Sequence, residues 1–413
     1  HKPWPLSSAV APRLDTTQLL EEEKTPDYHP DRFYPAPCHE TRLWRQFDGL
    51  AGSRSAPLAL VQRKICRRKT QRNCKSIEAI TNRQRGTHFT VCFGTKSPPW
   101  CWHFVRKLSD SFQLEGVSGG KHHCLVLGAL REPLWVYRER YIGGFIPVNI
   151  LKILLQMTLQ ALDYLHSECH VIHTDLKPDN IMIKIEDPSI FEEHALNEFH
   201  RPLPQKHRGD RVIYLSRNNY GPLKRPTGII QLMDFDLSDG YTIELSKLRF
   251  FRAPGVILDA GYTSSADIWS LGVLLRDLFE RNCPIDPHTP EKPDEYDEAV
   301  HLAQITSVLG YPPGSLVSSW RRSSMFYDDN SKVHLHHLNQ NARVTSIDPV
   351  IPRNPQPLSH NIGFEGSINQ IKGEEKTRFI GFVKRMIEWK PEERSTAKEL
   401  LGDTWLYEDF PHD

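Results

Sequence analysis

The sequence predicts an α+β fold, mainly helical over its C-terminal two-thirds, with a few short strands at the front edge of that part. Three observations predict it. The run Ile150 to Leu165 is apolar nearly all round, as in a helix buried in a large lobe. Ile268, Leu271, Leu274, Leu275, Leu278 and Phe279 recur at helical spacing between Ala266 and Glu280. Two short apolar runs, Val171-Ile-His173 and Ile181-Met-Ile183, bracket a tight polar loop and read as buried strand ends that present it.

Taken in order, residues 1–40 are rich in proline and charge and read as an extended arm. Patterning is poor from 41 to about 110, where Glu78 is the one acid between Gly49 and Ser109 among many Lys and Arg. Cys124-Leu-Val-Leu127 reads as a buried strand that links onward through Gly128. Ile229-Ile-Gln-Leu-Met233 is a second short strand and runs into Asp234-Phe-Asp236. A helix is expected to start near Ala299, and Thr396-Ala-Lys-Glu399 is a capping box opening a last short helix.

A chain of 413 residues with 38% hydrophobic and 25% charged residues is long enough for one large two-lobed domain, or two ordinary ones, with a sizeable core. A formal net charge of +1 gives no whole-molecule attraction to nucleic acid or membrane. No apolar run approaches 18 residues, and the opening His1-Lys-Pro-Trp-Pro5 has no apolar signal region. The chain opens on His1 rather than Met, so the natural N-terminus is expected to lie upstream. The eight cysteines include no C-x-x-C, which argues against a zinc ribbon and fits reduced thiols in a cytoplasmic or nuclear protein, expected to be a monomer.

The polar loop has the spacing H-x-D-x-K-x-x-N over His173, Asp175, Lys177 and Asn180, stiffened by Pro178. Phosphoryl transfer from ATP needs little covalent help and much placement of charge. One carboxylate must orient a hydroxyl, another must hold magnesium, an amide oxygen completes the metal site, and a lysine steadies the transferring group. Asp175, Asp234, Asn180 and Lys177 supply that set.

From about residue 104 to 406 the chain resembles the C-terminal lobe of eukaryotic protein kinases, and the SR-protein kinase group in particular. The resemblance rests on Leu130-Arg-Glu-Pro-Leu-Trp135, the stretch from Tyr164 through His173-Thr-Asp-Leu-Lys-Pro-Asp-Asn180, Ile213-Tyr-Leu-Ser-Arg217, Ala266-Asp-Ile-Trp-Ser-Leu-Gly272, His301-Leu-Ala-Gln304 and Trp389-Lys-Pro-Glu-Glu-Arg394. It implies a bilobal fold with a small, β-rich and poorly preserved N-lobe at 41–130 and a large, mainly helical C-lobe at 131–408. It further implies a Ser/Thr kinase using ATP and Mg2+ on protein substrates rich in Arg and Ser. Asp175 would be the base, Lys177 the mark of Ser/Thr specificity, and Asn180 and Asp234 the magnesium ligands. Thr174 stands where many kinases have an arginine that reads a phosphate, which implies activation without one. The other-class alternative is a catalytically impaired pseudokinase that serves as a binding module.

The resemblance fails over the first half of the ATP site. Gly49-Leu-Ala-Gly52 is a reduced glycine loop, and Pro57 follows where strand residues should stand. Lys64, Lys69 and Lys75 are all candidates for the phosphate-gripping lysine; Lys69 fits the spacing from Gly52 best, with Glu78 as its partner. ATP contacts are thus expected at Gly49, Gly52, Lys69, Glu78, Leu127 and Leu130. Basic, Trp- and Cys-bearing residues at 89–102 are what a decayed lobe or a misread exon boundary produces, rather than a nucleic-acid-binding insert. Asp236 and Gly255 replace a glycine and a glutamate of the family, and loss of the glutamate leaves Arg394 without its acid. Asp286 to Glu298 holds six acids and one lysine, and Asp294, Glu295, Asp297 and Glu298 are expected to dock an arginine-rich peptide.

Overall fold

The computed structural model describes residues 9–20, 101–115, 121–208, 211–215, 220–224, 227–234, 251–261, 263–280, 296–327, 368 and 370–409. In chain order the strands are β1 (Leu108–Glu115), β2 (Lys121–Leu127), β3 (Leu130–Pro133), β4 (Ile181–Lys184), β5 (Gln205–Arg208), β6 (Arg211–Tyr214) and β7 (Ile230–Leu232). The helices are α1 (Leu134–Tyr137), α2 (Val148–Asp163), α3 (Ser189–His200), α4 (Pro254–Ile257), α5 (Ser265–Glu280), α6 (Glu298–Leu309), α7 (Gly314–Ser319), α8 (Gly373–Lys384) and α9 (Ala397–Leu401). The architecture is the expected mixture of helix and sheet. Two compact units divide it: one with residues 106–132 and 184–228 and the segment at 9–20, the other with 133–183 and 229–409.

The first unit carries the antiparallel pair β1–β2, which runs from Leu108↔Leu127 to Glu115↔Lys121 with a register shift between Leu108 and Asp110, and the antiparallel hairpin β5–β6. Arg106 braces the end of β2 by donating to the Gly128 carbonyl from Nε at 3.0 Å and Nη2 at 2.7 Å. Leu127 is half-buried and Leu130 buried. Arg131, buried at the start of β3, donates to the carbonyl of Gly221 at 2.7 Å and pairs with Glu132 at 3.2 Å.

In the second unit α2 and α5 form the core, as their patterning predicts. Leu151, Leu154, Leu155, Leu159 and Leu162 are buried on α2, and Ile268, Trp269, Leu271, Leu274, Leu275, Leu278 and Phe279 on α5. Gly272 permits the close approach of α5, since a Cβ there would lie 2.8 Å from Ile387 Cγ2 and 2.9 Å from Met386 Cβ. Phe279, Phe379, Phe382 and Trp405 continue the core, with ring centroids 4.6–5.2 Å apart. The α2 surface is not apolar throughout. Lys152 is buried because Glu375 of α8 meets its ammonium at 2.8 Å, the Glu408 carbonyl accepts a second hydrogen at 2.8 Å, and the Trp405 ring lies 5.1 Å below it.

The strand expected at 171–173 does not form. The Val171 amide donates to Leu165 O at 2.8 Å and the His173 amide to a carboxylate, so neither joins a ladder. The strand at 181–183 does form, pairing antiparallel with β7 through Ile181↔Leu232 and Ile183↔Ile230. The capping box is present: the Glu399 amide donates to Thr396 Oγ1 at 3.2 Å and the Thr396 amide to Glu399 Oε2 at 2.8 Å.

His301 of α6 is fully buried, its Nδ1 2.9 Å from the Tyr296 hydroxyl. Burial, with Arg252 nearby, pulls the imidazole down to about 3. The denatured chain takes up a proton below the ordinary value of 6.5 that the native one refuses until about 3, so this contribution is complete above pH 6.5 and falls between those values. Stability is expected to drop by about 2 kcal/mol from this group between pH 7 and 5. Urea unfolding across that range, on wild type and His301→Gln, checks it: the limb flattens in the variant.

Candidate active site

The site is built where α2 ends. The helix runs into a wider turn over Tyr164–Cys169 and stops at His170, whose φ of 54° turns the chain into the loop. Asp267, in the first turn of α5, organises that loop. It is 1% exposed, and its Oδ2 accepts the His173 amide at 2.7 Å while Oδ1 accepts the Thr174 amide at 2.8 Å. His166 Nε2 lies 2.8 Å from the same Oδ2. Burial pushes the Asp267 carboxyl up, but its contact with His166 and the hydrogen bond from the His173 amide outweigh it and hold the group below its ordinary value.

This clamp holds Thr174 at a φ of 66°, a region that β-branched residues rarely enter. Asp175 then points into the loop. Its amide donates to His173 Nδ1 at 3.3 Å, which places the ring proton of the neutral imidazole on Nε2. Burial keeps His173 neutral by lowering its pKa, against the charges of Asp267 and Asp175.

Around Asp175 the residues expected together are together. Lys177 Nζ lies 3.0 Å from Asp175 Oδ2. Asn180 Nδ2 donates to the same oxygen at 3.0 Å and to the Asp175 carbonyl at 2.8 Å. Asp175 Oδ1 is buried without a hydrogen-bond partner among the described residues. The Asn180 carbonyl accepts the Met233 amide at 3.0 Å, which stitches the loop to the end of β7 and places Asp234 next in the chain. Asp234 is half-buried, with a φ of 62°.

Other expected residues fare differently. Gly49, Gly52, Lys69, Glu78, Asp236, Asp294 and Glu295 lie outside the described residues. Asp297 and Glu298, expected to dock a basic peptide, are engaged within the chain. Asp297 caps α6, accepting from the amides of Ala299 at 2.8 Å and Val300 at 3.1 Å. Glu298 accepts a two-pronged contact from Arg322, at 2.6 and 3.2 Å, and lies 3.6 Å from buried Arg252. Asp267 and His166 stand within stretches that carry the resemblance but were not among the expected site residues. The available signal was Asp267, the lone charge in the apolar run from Ser265 to Leu275 that opens the helix.

Arg394 is not stranded either. With no carboxylate in ion-pair contact among the described residues, it donates to the carbonyls of Glu388 at 2.8 Å, Ser265 at 3.2 Å and Trp389 at 3.3 Å, and its guanidinium lies 5.0 Å over the Trp269 ring. Burial still draws its pKa down to about 10. A Cβ at Gly255 would meet only ordinary contacts, 3.5 Å from Ala260 Cβ and 4.0 Å from Pro391 Cγ. Gly255→Glu is expected to raise stability by about 1 kcal/mol, less than the several that rescue of an unpaired buried charge would bring. Thermal melting checks it, with Gly255→Gln as the uncharged control.

The protein kinase domain family matches residues 107–406. The chain is 34% identical over 313 residues to a serine/threonine protein kinase of Aspergillus fumigatus, across 73% of this chain and 69% of that protein. It is 24% identical over 422 residues to the serine/threonine-protein kinase SRPK of Physarum polycephalum, across 94% of this chain and 91% of that protein. It is also 27% identical over 306 residues to human dual specificity tyrosine-phosphorylation-regulated kinase 3, across 72% of this chain and 43% of that protein. The chain therefore belongs to the protein kinase family, on its serine/threonine side.

Proposed function

We propose that this chain transfers the γ-phosphoryl group of ATP to serine or threonine hydroxyls of proteins, Arg/Ser-rich segments among them. The observation that carries the reading is the buried Asp175 Oδ1, without a hydrogen-bond partner among the described residues, beside an Oδ2 already held by Lys177 and Asn180. A carboxylate with one oxygen held and the other open is suited to accept a hydroxyl hydrogen and orient the nucleophile. Lys177, 3.0 Å away, supplies positive charge where the transferring group gains negative charge.

The residues fit magnesium as well. Both Asn180 amide contacts to Asp175 are made through Nδ2, which leaves the hard carbonyl oxygen for a cation. Asp234 adds a carboxylate one residue beyond the stitch at Met233. When bound, magnesium ATP supplies the phosphoryl group and neutralises its charge. The likeness to the Physarum SRPK supports an arginine-rich substrate.

Incubation with magnesium and γ-labelled ATP tests the proposal, using an Arg/Ser-repeat peptide and a serine peptide without arginine. Transfer is expected to both and to be abolished by EDTA, with a higher kcat/KM on the arginine peptide that shrinks with salt. Nucleotide binding without transfer would return the protein to the class of binding modules. Equal kcat/KM on the two peptides would remove the arginine preference alone.

A further inference from the structure

Between β4 and β7 the chain inserts α3 and the hairpin β5–β6. Four residues per strand make a ribbon that is marginal in water on its own. It is not left on its own. Residues 12–14 lie along β5 in a parallel bridge, Arg13↔Gln205. The Gln205 amide donates to Pro12 O at 2.8 Å and the Leu14 amide to Gln205 O at 2.9 Å. Pro12 stands at the start of this pairing, where a missing N–H is tolerated and its carbonyl is used.

The segment then turns onto the ribbon. Asp15 Oδ1 accepts the Thr17 amide and hydroxyl, both at 2.8 Å. The reversal carries the Gln18 carbonyl to Lys206 Nζ at 2.7 Å, and Leu20 is buried just beyond. Lys206, the second residue of β5, is 1% exposed. A buried ammonium is tolerated only with acceptors around it, and an oxygen from the N-terminal segment is one of them. Burial of Lys206 and seating of residues 9–20 are therefore coupled.

We infer that residues 9–20 form a strap, a strand added to the β5 edge by this chain itself, and that the strap and the hairpin at 205–214 fold and open as one. The β5 edge is a strand-addition site whose occupant is an extended segment with a carbonyl at Pro12, an amide at Leu14 and a carbonyl at Gln18. The specificity comes from the last of these, because only a chain that turns after the bridge reaches Lys206.

Hydrogen–deuterium exchange on the full chain tests this. Leu14→Pro removes the amide that Gln205 accepts, and exchange over 205–214 is expected to rise at least tenfold while α5 stays as protected as in wild type. Leu19→Ala, at an exposed position, is expected to change neither. A chain lacking residues 1–20 should show the same fast exchange, and a synthetic peptide of residues 9–20 should restore protection where its Leu14→Pro version does not. Unchanged exchange over 205–214 in Leu14→Pro overturns the strap, as does an equal effect from Leu19→Ala. Loss of protection on dilution of the wild type would assign the strand to a second copy and overturn the intramolecular strap.

Discussion

Asp175→Asn lowers kcat by roughly 10²–10⁴-fold, the range for loss of a positioned general base, and leaves the fold intact. Asparagine keeps the shape and one oxygen to accept from Asn180 Nδ2, so the loop retains its stitch to β7. What disappears is the open, charged Oδ1 and the pairing with Lys177, whose side chain is 30% exposed and readily solvated. Initial rates with labelled ATP, alongside a melting curve, check both halves of the expectation. Full activity in the variant would take Asp175 out of the mechanism. Asp234→Asn separates the roles: it raises the magnesium concentration needed for nucleotide binding, because a carboxylate ligand has been weakened rather than a base removed.

Asp267→Ala has the largest effect expected on stability. It strips the acceptor from two buried amides, those of His173 and Thr174, and from His166 Nε2. Each buried donor left unmet costs about 1–3 kcal/mol, so the unfolding midpoint is expected to fall by on the order of 10 °C. Activity should vanish even at temperatures where the variant stays folded, since Asp175 follows directly on the released amides. Asp267→Asn retains one oxygen and should fall between. The depressed Asp267 value also gives the direction with pH: its contribution is complete above the ordinary value of 3.8 and disappears as pH falls through the lower native value. A melting midpoint unchanged in Asp267→Ala would show that the loop is held by other contacts.

Much of this was legible in local pattern and little of it in partnership. The two core helices declared themselves because their apolar spacing is a property of a dozen consecutive residues. Asp175, Lys177 and Asn180 were found because a six-residue loop with a central proline fixes their separation. The strand expected at 171–173 was wrong because the Val171 amide goes back to Leu165 O and the His173 amide to Asp267, 94 residues away, a partner that periodicity cannot reveal. Arg394 was read as lacking a partner because carbonyl oxygens have no sequence signature. Asp297 and Glu298 looked available for a ligand for a similar reason: composition counts charges, while Arg252 and Arg322 arrive from other parts of the chain. The arm at 1–40 read as merely extended, since strand pairing between residues 13 and 205 leaves no local trace.

The left-handed Thr174 has a consequence for how the protein acquires its activity. A β-branched residue at a φ of 66° stores on the order of 1–3 kcal/mol, and the acceptor that holds it there, Asp267 Oδ1, lies 93 residues further along the chain. An isolated segment spanning the loop would relax to another shape. The geometry around Asp175 can arise only after α5 has been synthesised and Asp267 has reached the loop, so the loop matures later than the helix that precedes it. Fragments of this chain that end before residue 267 would then be inert, whatever helices they had already formed.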